Sequence, residues 1–110
     1  MAYDQSQGWS KTAIAVLEIP GDAKRLTAKR PILIGNRFSY KCRADKAKVL
    51  RIESVDGNNT YGFAYSKYRN QKFEYKVGEM VYADDFDPDP EKDCSHGIHF
   101  FMKREDAVEY

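Results

Sequence analysis

Apolar and polar positions along this chain alternate in short runs. The runs end at turn residues and do not extend into long helical stripes. Residues 12–19, Thr-Ala-Ile-Ala-Val-Leu-Glu-Ile, are apolar nearly throughout, which predicts a central strand covered on both faces. Pro20, Gly21 and Asp22 stop it with turn chemistry. Residues 23–27 read equally as a helical turn or a loop. Residues 26–40 predict an insertion or extended hairpin around the apolar segment 31–34, closed by Gly35 and Asn36 and carrying Lys29, Arg30 and Arg37. Residues 49–55 predict a half-buried strand, and 56–59, Asp-Gly-Asn-Asn, give the strongest hairpin turn signal. The return strand is 60–66, with Tyr61, Phe63 and Tyr65 on one face. A second hairpin is predicted from 73–77 to 79–82, turning at Gly78. An acidic, proline-bearing loop fills 83–93, and an apolar strand at 98–102 leads into a capping helical turn that places Ala107 and Tyr110 on one face.

This succession predicts a small α+β domain, mainly antiparallel sheet with one or two short helices. Residues 1–110 read as one domain, with 1–11 a flexible or edge segment. A hydrophobic content of 42% and an aromatic content of 14% support a folded core. No apolar run approaches the roughly 20 residues of a membrane helix, and the first ten residues lack a signal-peptide pattern. Two cysteines, Cys42 and Cys94, are too few for a disulfide framework and fit a reducing cytoplasm.

Net charge is +1, but its distribution is uneven. Residues 1–51 hold 11 Lys/Arg against 4 Asp/Glu, and residues 52–110 hold 7 against 13. Ten of the basic residues fall between Lys24 and Arg51, where Asp45 is the single acid. Such a segment can meet phosphate or an acidic protein, or it can neutralise the acidic half of its own fold.

Four kinds of chemistry can be weighed against these residues. Cys94, His96 and His99 are spaced C-x-H-x-x-H, and Cys42 could complete a tetrahedral zinc set. A strand starting at Ile98 would separate the directions of His96 and His99, so no metal is expected. Asp85, Asp87 and Asp89 alternate like calcium-loop ligands, but the turn glycine and the closing bidentate glutamate are missing. Cys42 sits among Lys41, Arg43 and Lys46, a setting that lowers a thiol pKa, but no partner base can be assigned. Phe38 and Tyr40 between basic residues, and the face of Tyr61, Phe63 and Tyr65, could stack on single-stranded nucleic acid. No catalytic residue and no cofactor are expected.

Several blocks together are similar to an uncharacterised family, a domain of unknown function. They are 17–25 (LEIPGDAKR), 41–50 (KCRADKAKVL), 73–78 (FEYKVG) and 94–101 (CSHGIHFF), with Arg104-Glu-Asp-Ala107 and Tyr110 after them. That family occurs in phages and large DNA viruses, and attached to pentapeptide-repeat proteins. The resemblance implies a viral or mobile-element context more than an activity. Residues 28–40 are longer here than the family pattern. Gly97-Ile-His-Phe-Phe101 with Ala107 and Tyr110 also resembles the Gly-Ile-Tyr-Phe…Ala/Ser-x-x-Tyr block of ADP-ribosyltransferases, which helps form their NAD pocket. His99 stands where those enzymes carry an aromatic.

The function expected from these readings is a phage- or virus-type protein that binds a host protein in the host cytoplasm, as a counter-defence or host-takeover factor. Asp84, Asp85, Asp87 and Asp89, or Lys29, Arg30 and Arg37, would make the contacts. The alternative is a nucleotide-handling protein, an ADP-ribosyltransferase-like enzyme or a signalling-nucleotide sponge, with His99, Tyr65, Ser66 and Arg43 lining the pocket. A third is a domain that only tethers other proteins.

Overall fold

A computed structural model describes residues 1–7, 12–66, 74–83, 86–90 and 97–110, except for the side chains of Gln7 and Ser66. Among them are twelve strands: β1 (Ala2–Gln7), β2 (Thr12–Glu18), β3 (Arg25–Thr27), β4 (Ile32–Ile34), β5 (Arg37–Ser39), β6 (Cys42–Ala44), β7 (Lys46–Ser54), β8 (Thr60–Tyr61), β9 (Phe63–Ser66), β10 (Glu74–Lys76), β11 (Met80–Tyr82) and β12 (Ile98–Phe100). One helix, α1 (Arg104–Glu109), follows. The domain is therefore mostly antiparallel sheet, further toward all-β than an α+β reading implies. Its turns come too often for a longer helix to bury an apolar stripe.

The main sheet runs β10-β9-β1-β2-β7-β11, with β8 beside β7. Its centre is β2, where Ala13 to Leu17 are all buried, as the unbroken apolar run predicts. β1 pairs with β2 along its whole length and with β9 at Ser6 and Gln7, so residues 2–7 form a strand inside the sheet order and not at its edge. Asp4, Gln5 and Ser6 hide this in the sequence. Each is polar, yet each is buried, and each is hydrogen-bonded inside the fold.

The sheet is strongly curled. β10 and β11 stand at its two ends, yet they are joined by the turn at Gly78, whose N–H donates to Val49 O at 2.8 Å. The predicted second hairpin is therefore split: its turn is held by β7, and its two strands pair with β9 and β7 instead of each other. The 60–66 strand is also split, by Gly62, so that Tyr61 packs on the core while Phe63 and Tyr65 are half-exposed. Small side chains (Ala2, Ala13, Ala15, Ala47, Ala64) let the curled sheet close around the Tyr75 ring. The Tyr75 hydroxyl donates to buried Asp4 Oδ2 at 2.6 Å.

A second sheet, β12-β6-β3, continues from the first, because β6 runs through Asp45 directly into β7. Residues 25–27, ambiguous in the sequence, are its edge strand. Beyond β12 the chain returns to β1, where Tyr3 and Phe101 exchange backbone bonds of 2.9 and 2.8 Å. On the outer face of β1 and β2 lies a smaller core of Ile14, Ile34, Phe101 and Ala107, covered by α1 and the β4–β5 hairpin.

Candidate interaction surface

Pro31 precedes the β4–β5 hairpin, whose alternation sorts its two faces. Ile34 and Arg37 oppose each other on the inner side, as do Ile32 and Ser39. Ile34 is buried in the smaller core. Arg37 donates from Nε and Nη2 to Asp106 Oδ1 at 3.0 and 2.7 Å, and Ser39 Oγ donates to Oδ2 at 2.5 Å. Burial pushes the Asp106 carboxyl up, but Ser39 and Arg37 outweigh it and hold the group below its ordinary value. At the turn, Gly35 has φ +61°, and a Cβ there would meet Glu109 Oε2 at 2.5 Å. The hairpin is thus latched to α1 along its inner face. Arg37 serves the latch, and the sequence gives no sign that Asp106 is its partner, 69 residues away.

The outer face is apolar. Leu33 and Phe38 are direct cross-strand partners, yet 64% and 70% exposed, and Tyr40 follows at 49%. Lys29 and Arg30, exposed, lie just before the hairpin. Lys29 N–H donates to Pro90 O at 3.1 Å, which brings the basic step against the acidic loop. Fully buried Arg43 pins that loop from beneath, donating to the backbone carbonyls of Asp87 and Asp89 at 2.6 and 2.7 Å. Asp87 Oδ1 accepts the Asp89 N–H at 3.0 Å, and Gly97 (φ +146°) lies where a Cβ would come within 3.2 Å of both Arg43 Cβ and Phe86 Cδ1. Asp84 and Asp85 lie outside the described residues, as do Cys94 and His96.

The structure places the other candidates apart. His99 is buried opposite Arg43 across the β12–β6 ladder, so these two are brought together. Tyr65 is half-exposed on β9, which pairs with β1 and β10 and not with the second sheet. Ser66 joins the same ladder through its backbone. Cys42 opposes Phe100, one position from His99, so Cys42 and His99 face opposite sides of one ladder and do not converge on an ion. Among the described residues no cluster of three metal-ligating side chains exists. The basic neighbours of Cys42 do not lower its thiol pKa: burial pushes it up, while Thr27 pulls weakly the other way. Of the ten basic residues at 24–51, Arg37, Lys46 and Arg51 pair with carboxylates, and Lys41 and Arg43 are buried. Lys41 Nζ donates to the Tyr110 hydroxyl and lies 4.3 Å from that ring's centre.

Among the described residues no helix is long and apolar enough to cross a membrane. No curated protein and no solved structure matches the chain. A family model matches residues 1–107, nearly the whole length and including the hairpin, the acidic loop and most of α1. The chain belongs to that family, a family of unknown function (DUF5758).

Proposed function

We propose that this protein acts by binding another protein, without catalysis, through the outer face of the β4–β5 hairpin and the charged rim beside it. The observation that carries this reading is the exposed Leu33–Phe38 pair on a hairpin whose inner face is latched by Asp106. Large apolar side chains on a rigid support lose little entropy on binding and make good anchors. The rim is mixed in sign, with Lys29 and Arg30 next to Asp87 and Asp89. A mixed rim suits a complementary protein surface, whereas the acids would repel a phosphate backbone. The viral or mobile-element context implied by the family resemblance makes the partner a host protein, and the binding a counter-defence or host-takeover step.

The test is native mass spectrometry of the tagged protein captured from host lysate, wild type beside Phe38→Asp. A stoichiometric protein retained by the wild type and lost by the variant, with the variant's melting curve unchanged, is the expected result. Equal capture by both would remove the hairpin from the interface. A bare protein carrying a few hundred daltons of extra mass would favour the nucleotide-handling alternative. Reversing Asp87 and Asp89 to Lys should slow association about tenfold or more at low salt and matter less at high salt.

A further inference from the structure

At the open end of the larger core, between the end of β2 and the β3 edge, lies a half-open cavity of about 660 Å³. Its floor is buried Ala2, Cys42 and Phe100, and Ile19 forms a side. Such a volume, with a mostly apolar lining and few polar groups, is the ordinary make-up of a small-molecule site. The polar groups are not evenly spread. Arg25 and Thr27 lie on the same face of β3, opposite Ala44 and Cys42, so the wall they form carries a guanidinium and a hydroxyl. Arg25 Nη2 is anchored on the Pro20 carbonyl, and its other N–H groups have no partner among the described residues. Thr27 Oγ1 lies 3.6 Å from the Cys42 thiol. The lining also holds one acid, Glu18, which disfavours a multiply charged anion more than a singly charged one.

We infer that this cavity binds a small apolar carboxylate, its hydrocarbon body on Phe100 and Ile19 and its carboxylate on Arg25 and Thr27. A guanidinium matches a carboxylate in geometry as well as charge. Met102, 63% exposed at the rim, is a flexible thioether able to fold over the ligand. This site is separate from the hairpin surface and stands or falls without it.

Decanoate is the probe, read by methionine-methyl NMR on the full chain. Met1 and Met102 both line the cavity, while Met80, on β11, does not and is an internal control. The expected result is a saturable shift of Met102 with Met80 unmoved. Arg25→Gln, an exposed change that preserves the fold, should raise the half-saturating concentration about tenfold, the loss of one charge-assisted contact. Decanol, which lacks the charge, should bind wild type and variant alike. Shifts of Met80 and Met102 together, no shift of Met102, or equal decanoate affinity in wild type and Arg25→Gln would each overturn the assignment.

Discussion

Two carboxylates, both buried, respond to their surroundings in opposite directions. Burial pushes Asp4 from 3.8 up to about 7, against the smaller pull of the Tyr75 hydroxyl and the Lys41 charge. The unfolded chain loses this proton near 3.8, and the folded chain holds it until about 7. Between those values the folded state binds the extra proton, so stability falls as pH rises through the window and levels off above it. Asp4→Asn keeps an acceptor for Tyr75 and has no proton to lose. Urea titrations should find the variant nearly equal to wild type at pH 4 and more stable by about 1–3 kcal/mol at pH 8. Parallel pH profiles would show that Asp4 does not titrate as placed. Asp106 works the other way: its stabilisation is present above the unfolded value of 3.8 and is lost as pH falls through its lower folded value. Asp106→Ala removes three hydrogen bonds to the hairpin. Arg37 keeps 37% of its side chain in water, so the ion pair itself adds little. The expected loss is about 1–3 kcal/mol in urea denaturation.

At the scale of elements, backbone irregularities direct the strands as much as the apolar pattern does. In β7, Val16 pairs with Arg51 and Leu17 with Val49, which leaves Leu50 as an extra, bulged residue and shifts the phase of the buried face. A uniform alternation over 49–55 cannot show that shift, although the strand itself is plain in the sequence. The 56–59 turn follows its sequence closely, with β7 and β8 paired at Ile52–Tyr61 and Glu53–Thr60. The turn at Gly78 looks equally local in sequence, but its partners lie on β7. The segment 26–40 was legible as a hairpin carrying charge. Its use as a two-faced plate was not, because that depends on Asp106 and Glu109 from the far end of the chain. Gly97 shows a similar dependence. Gly97→Ala adds a Cβ in a backbone region that L side chains rarely adopt, against Arg43 and Phe86. It should cost about 1–3 kcal/mol and raise hydrogen exchange at 86–90, where Arg43 holds the acidic loop.

At the scale of the whole molecule, the basic and acidic halves of the sequence interpenetrate. Arg37 reaches Asp106 and Glu109, and Arg43 holds the backbone of the acidic loop. Much of the charge contrast along the chain is therefore consumed inside the fold, and what the hairpin presents outward is chiefly apolar. Sequence alone cannot separate these outcomes, because each depends on which distant residue arrives at a given strand. Long-range arrivals also bear on how the protein is made. Tyr3 on β1 bonds to Phe101, and Gln5 Nε2 donates to Ala107 O. During synthesis, β1 emerges about a hundred residues before Phe101 and Ala107, and one of its flanks stays uncovered until that segment has also left the ribosome. Until then the nascent chain carries an open strand edge, the kind of surface on which copies of one chain pair with each other.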